Sequence, residues 1–146
     1  MKKAVLIVNL GTPDSPSYFN VFKYLQQFLS DEKVININPI LRFLLVNFII
    51  CPTRSFSSSK IYKKVWNPEY GSPLLHNTKK LTDVVSSKLP SMDVQFAMRY
   101  QSPSIKNTLE KMLLKNPDEI IILPLFPHYA AATTGSVFKE VTRCLS

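Results

Sequence analysis

The chain has 146 residues, 45% of them apolar and 19% charged, and its eighteen basic and ten acidic side chains leave a formal charge of +8. That is the size of one domain, too apolar for intrinsic disorder, with no apolar run long enough to read as a membrane helix. Three glycines stand against eleven prolines, where average usage of about 7% would put roughly ten. A dinucleotide fingerprint or a phosphate loop needs two or three glycines in one short turn. Gly11, Gly71 and Gly135 lie far apart, so both motifs are excluded.

The opening MKKAVLIVNL imitates a signal peptide, but GTPDSP follows where a small-residue cleavage site would be needed. Ala4 to Leu10 is instead a continuous apolar, β-branched run ending in a Gly-Thr-Pro turn, the signature of a buried parallel strand. Asp14 or Ser15 is positioned to cap a first helix with Pro16 at its first position, and Phe19, Phe22, Leu25, Phe28 and Leu29 recur along it at helical spacing. Pro39 opens a second, apolar helix that should stop before Pro52. Its apolar stretch, Ile40 to Cys51, is too short to cross a bilayer and suits lying on one or lining an apolar cleft. Ser57 to Ser59 should cap a third helix carrying Ile61, Tyr62, Val65 and Trp66. After Gly71-Ser72-Pro73 a fourth helix runs to about Leu89, with Leu74, Leu81, Val84, Val85 and Leu89 on one face. Asp93 to Met98 reads as a strand, Pro103 to Lys115 as a helix and Glu119 to Phe126 as a strand, and Thr134 begins a last helix.

Strands alternating with helices predict an α/β fold with a parallel, Rossmann-like sheet flanked by helices. Three strands followed by one helix suggest the first lobe of a longer protein. Two cysteines, Cys51 and Cys144, make no disulfide framework and no metal-ligand spacing, which fits a reducing, intracellular setting.

In open α/β sheets ligands bind beyond the carboxyl ends of the strands. Here those ends read Asn9-Leu10-Gly11-Thr12-Pro13, Met98-Arg99-Tyr100 and Pro127-His128-Tyr129. Gly11 allows a tight turn or close backbone approach, Arg99 offers a planar fork for a carboxylate, and Tyr100 and Tyr129 can stack on a flat apolar ligand. Thr133-Thr134-Gly135-Ser136 places hydroxyls and bare N–H groups at a helix start, which suits an anion. Each has a plainer reading: a turn glycine, a surface ion pair for Arg99, a hydrogen-bonded structural His128, helix caps at Thr134 and Ser136, and core packing for Trp66 and the phenylalanines. From Lys33 to Pro68 there are six basic residues and no acidic one. Beside an apolar helix this suits an amphipathic anion or an anionic membrane surface, or a solvated helix face. No nucleic-acid reading module or continuous lysine stripe is present.

Five segments, in order, resemble the N-terminal half of ferrochelatases: VNLGTPDSP, FLSDEKVININPILRFLLVNFIICPTR, YKKVWNPEYGSPLL, MRYQSPSI and LPLFPHYAAATTGS. The resemblance implies that residues 1–146 form the porphyrin-binding lobe of a two-lobed class II chelatase fold, with the C-terminal lobe absent. It implies the insertion of ferrous iron into a porphyrin, protoporphyrin IX or coproporphyrin III, in haem biosynthesis. It puts Leu10 against the macrocycle, Gly11, Thr12 and Pro13 in the adjoining wall, Arg99 and Tyr100 on the pocket, and Thr133, Thr134, Gly135 and Ser136 under the ligand's polar edge. The stretch from Pro39 to Cys51 matches a lip that in some members meets the membrane, implying a cytoplasmic protein with peripheral membrane contact. Ala131 stands where some members bind an iron–sulfur cluster through cysteine, so no cluster is expected and iron and porphyrin enter as substrates only. The family's catalytic histidine lies in the second half. No catalytic residue is therefore expected here and no metal site, with His128 as the sole candidate ligand, and the isolated lobe should be inactive. The alternatives are another tetrapyrrole chelatase, of cobalt or sirohydrochlorin type, and a non-enzymatic tetrapyrrole- or membrane-binding module.

Overall fold

A computed structural model describes residues 1–146. Three strands, β1 (Lys3–Gly11), β2 (Asp93–Tyr100) and β3 (Glu119–Pro124), form one sheet in the order β2-β1-β3, and both pairings are parallel. The β-branched run at Ala4–Val8 takes the central place because both of its faces are covered. On one face Ala4, Leu6, Val8 and Ala97 pack with Ile105, Leu109 and Met112 of α5 (Ile105–Leu113) and with Val137 and Val141 of α6 (Ser136–Leu145). On the other, Val5, Ile7 and Val94 meet Val85 and Leu89 from α4 (Pro73–Lys88) and its C-terminal end. Each large apolar side chain fully buried this way contributes about 1.5–3 kcal/mol, so the sheet is the rigid base from which the strand ends project.

The helices depart from expectation in four places. The first, α1 (Tyr18–Leu29), is capped by Ser17, whose hydroxyl accepts from the Asn20 amide at 3.3 Å, and not by Asp14 or Ser15. Its buried face is Val21 and Tyr24, while Phe19 stands 81% exposed. The second helix does not stop before Pro52. An α-helical start, α2 (Pro39–Leu44), passes through a π-helical turn at Leu45–Ile50 into α3 (Cys51–Val65). A proline inside an α-helix lacks a donor and collides with the carbonyl four residues back. The widened π turn carries the chain past that conflict, with the Cys51 amide donating to Val46 and the Thr53 hydroxyl donating to the Ile49 carbonyl at 2.7 Å. Ser57 to Ser59 therefore sit inside a helix and cap nothing.

The continuous helix Pro39–Val65 is long and apolar enough, by length and composition, to cross a membrane, which replaces the shorter stretch expected from sequence. Its second part nevertheless docks on the domain: Cys51, Ser55 and Ser59 are buried, Ser59 donates to the Pro16 carbonyl at 2.9 Å, and the Tyr18 hydroxyl donates to that of Pro52 at 3.3 Å. Its first part, with Phe43, Phe48 and Ile49, faces outward, so these phenylalanines are not core.

The fourth departure is the rotation of α4. Thr78 and Thr82 face inward, and Leu74, Leu81 and Val84 turn out. The reason is polar. The Thr78 hydroxyl accepts from the Asn9 side-chain amide at 3.0 Å and donates to the Leu74 carbonyl at 2.7 Å, which fixes the helix against the end of β1.

Candidate functional site

The carboxyl ends of the strands open onto two unlike clefts. The first is apolar and has a volume of about 300 Å³. Leu10, Gly11 and Thr12 at the end of β1 form one wall, and Trp66, Pro73 and Leu74 form another with Tyr24 and Tyr62. A neighbouring hollow of about 410 Å³ shares Thr12, Trp66 and Ser72 with it and adds Pro13, Tyr70 and Pro103. The two sequence segments around Leu10-Gly11-Thr12-Pro13 and Gly71-Ser72-Pro73 thus meet in space. The second segment is shaped for this. Asn67 and Gly71 exchange backbone hydrogen bonds at 2.9 Å, Gly71 sits at φ +79°, and Ser72 caps α4 by accepting from the Leu75 amide. Trp66, read from sequence as core, is half-buried and lines the cleft.

The second cleft is larger, about 760 Å³, and polar; Phe43 is its one hydrophobic lining residue. Lys139 pairs with Glu32 at 2.6 Å and Arg143 with Glu140 at 2.7 Å, whereas Lys23 and Arg42 line it with no carboxylate partner. Arg42 donates to the backbone carbonyls of Ile35 and Ile37 instead. The cleft therefore keeps free positive charge suited to carboxylates.

At the floor of this cleft lies a buried network. The Arg99 guanidinium donates through Nη2 to Asp31 Oδ2 at 2.8 Å and through Nε to the Ser136 hydroxyl at 2.7 Å and its carbonyl at 3.2 Å. The Tyr100 hydroxyl donates to the same Asp31 oxygen at 2.9 Å, and so does the Ser136 hydroxyl. The Lys33 amide donates to the other carboxylate oxygen at 2.8 Å. Burial opposes ionisation of Asp31, but the donations from Ser136, Lys33 and Tyr100 and the charge of Arg99 outweigh it and hold its pKa below the usual carboxylate value. For Tyr100, burial, with the Asp31 carboxylate beside it, pushes the phenol up to about 12.

The surface ion pair that was the plainer reading of Arg99 is in fact a buried one. Tyr100 does not offer an exposed stacking face. It is fully buried, with its ring 5.2 Å from that of Phe28 and its hydroxyl on Asp31. Ser136 is buried in the same network, while Thr133, Thr134 and Gly135 lie half-buried in a second π-helical turn, Ala131–Gly135, which leads into α6. His128 and Tyr129 are exposed beyond β3, and His76 stacks on Tyr70 at 4.0 Å. No three His, Cys, Asp or Glu side chains converge as metal ligands.

Gly11 joins the two clefts. It pairs with Tyr100 across the sheet at φ +114°, and a Cβ there would lie 2.0 Å from the Tyr100 carbonyl oxygen. Only glycine fits that approach. An aromatic series, Tyr100 on Phe28, Phe28 on Tyr24 and Tyr24 on Tyr62, runs beneath from the polar network to the apolar wall.

Sequence reasoning missed Asp31, Tyr24 and Tyr62 as site residues. An Asp two residues before an accessible amide is a visible turn signal, but the three side chains that converge on Asp31 are distant in sequence.

A sequence model described as Ferrochelatase matches residues 2–146. The ferrochelatase of Francisella tularensis subsp. holarctica (strain OSU18) is 45% identical over 146 residues, covering 99% of this chain and 44% of its own length. Those of subsp. tularensis (strain WY96-3418) and subsp. novicida (strain U112) are each 44% identical over the same shares. The chain spans less than half the length of these curated relatives, and on this match over nearly all of its residues it belongs to the ferrochelatase family.

Proposed function

We propose that this chain forms one wall of the porphyrin cleft of an enzyme that inserts ferrous iron into protoporphyrin IX or coproporphyrin III. The observation that carries this reading is the meeting of Leu10–Thr12 with Trp66 and Pro73 in an apolar cleft at the strand ends, beside a polar cleft holding the unpaired cations Lys23 and Arg42. A porphyrin needs both kinds of surface, one for a flat apolar ring and one for its carboxylates. Family membership favours ferrous iron over the substrates of other tetrapyrrole chelatases.

Metal insertion requires a bent macrocycle, a base for the pyrrole protons and groups that hand over the metal. Leu10 and the Gly11–Pro13 turn, held rigid by the central strand, supply a surface against which the ring is oriented and bent. Ser136 and the Thr133–Gly135 turn lie by the polar edge, with Arg99 and Tyr100 fixing them from beneath. The proton-accepting and metal-handling groups belong to the portion of the relatives outside the match, so the 146 residues alone have negligible chelatase activity. The reading also places the protein in the cytoplasm, with the outward side chains of Pro39–Ile50 resting on a membrane surface.

Titration with protoporphyrin, followed in the visible band, tests the reading. The wild-type chain should bind saturably and Leu10→Glu should weaken binding at least tenfold; equal affinity of the two would overturn it. Turnover by the isolated chain matching that of full-length relatives would overturn the division of labour.

A further inference from the structure

Asp31 is the acidic residue of this domain most deeply enclosed by donors. Its side chain is 3% exposed, it lies just beyond the end of α1, and no part of the reaction proposed above uses it. Every group around it donates: the Arg99 guanidinium, the Tyr100 and Ser136 hydroxyls and the Lys33 amide. The arrangement is therefore built around the ionised carboxylate, since a neutral acid would add a proton where donors already converge.

The three side-chain donors come from the two segments that frame the polar side of the site. Arg99 and Tyr100 end β2, and Ser136 follows immediately on the Ala131–Gly135 turn. Ser136 is held at its hydroxyl by Asp31 and Arg99, and at its carbonyl by Arg99. The turn has little freedom of its own, because the Thr133 and Gly135 amides both donate to the Ala130 carbonyl, at 3.2 and 3.1 Å. Whatever fixes Ser136 therefore fixes how the turn faces the cleft. A second tie crosses the same gap, Glu32 to Lys139 at 2.6 Å, but it is exposed on both sides.

We propose that Asp31 is a positioning residue of the porphyrin site, whose charge locks the end of β2 to the start of α6 and so sets the presentation of residues 131–136 to the ligand. The inference rests on the porphyrin reading above. In the full chain, Asp31→Asn keeps the shape but removes the charge and turns one acceptor into a donor facing the Lys33 amide. We expect it to weaken protoporphyrin binding about tenfold or more, the loss of roughly one charged hydrogen bond. Amide hydrogen exchange should quicken at residues 131–136 and stay unchanged in β1. Glu119→Gln, on the exposed Lys3–Glu119 pair at the opposite end of the sheet, should leave affinity within about twofold. Wild-type affinity in Asp31→Asn would overturn the inference, and so would equal acceleration of exchange in β1, which marks general loosening. Should Asp31→Asn fail to fold, Tyr100→Phe removes one of the donors alone. An affinity lowered about threefold with cooperative unfolding retained would then support the inference, and unchanged affinity would overturn it. No binding by the wild-type chain would instead overturn the porphyrin reading itself.

Discussion

The two clefts are held together by opposite means. The apolar one is a meeting of side chains from β1, α1, α3 and the start of α4. The polar one is organised around a single carboxylate oxygen that accepts from three side chains. Apolar walls tolerate volume-conserving exchange at a cost of about 1.5 kcal/mol or less. Removing one member of a buried ion pair strands the other and costs about 3–5 kcal/mol. The apolar cleft thus tolerates exchange of its side chains for others of like volume, whereas the polar one admits almost no variation at its floor.

The largest break in this contrast should come from Arg99→Met, which leaves Asp31 buried with neutral donors only. Urea unfolding should show a loss of about 3–5 kcal/mol, and a loss under 1 kcal/mol would mean that the network is not what holds the polar side. Gly11→Ala should cost about 1–3 kcal/mol from backbone strain, with the added collision on the Tyr100 carbonyl. It should also disturb both clefts together, read as coupled changes in hydrogen exchange at Tyr100 and near Trp66. Changes confined to one side would separate what Gly11 is described as joining.

Acid sharpens the comparison further. Because the folded pKa of Asp31 lies below its unfolded value of about 3.9, its contribution is fully present above roughly pH 4. It is lost as pH falls through the folded pKa. Thermal unfolding midpoints from pH 7 down to 2 should fall more steeply for the wild type than for Asp31→Asn, and parallel curves would remove Asp31 as the titrating group. The smallest effect on stability should be that of Phe48→Glu, since Phe48 is 69% exposed and surface exchanges stay within about 0.5 kcal/mol. The same variant should nonetheless lose binding to anionic phospholipid vesicles in a flotation assay, and undiminished binding would detach the outward helix face from any membrane role.

Two strands were legible from sequence as continuous, largely β-branched runs ending in turn residues, so Ala4–Leu10 and Glu119–Phe126 stand out without tertiary information, although β3 closes at Pro124. The position of Leu10 through Pro13 at the carboxyl end of β1 was legible too, whereas the burial of Tyr100 at the end of β2 was not. The helix through Pro52 was not. Local rules stop a helix there, and the π turn that carries it on depends on the docking of α3 against α1. The inward face of α4 escaped for a related reason, since a bond between Asn9 and Thr78 overrules the hydrophobic stripe. Asp31 was hidden because its role exists only when β2, α1 and α6 come together.

β3 pairs with β1 on one side only, and no strand pairs with its outer edge. Its outward residues Ile121 and Leu123 are 39% and 46% exposed. Five of its six residues, Ile120 to Pro124, are uncharged, with Glu119 as the sole charge. An edge of this composition offers its unpaired amides and carbonyls to another strand, and Pro124, which has no amide to donate, limits such pairing at its far end.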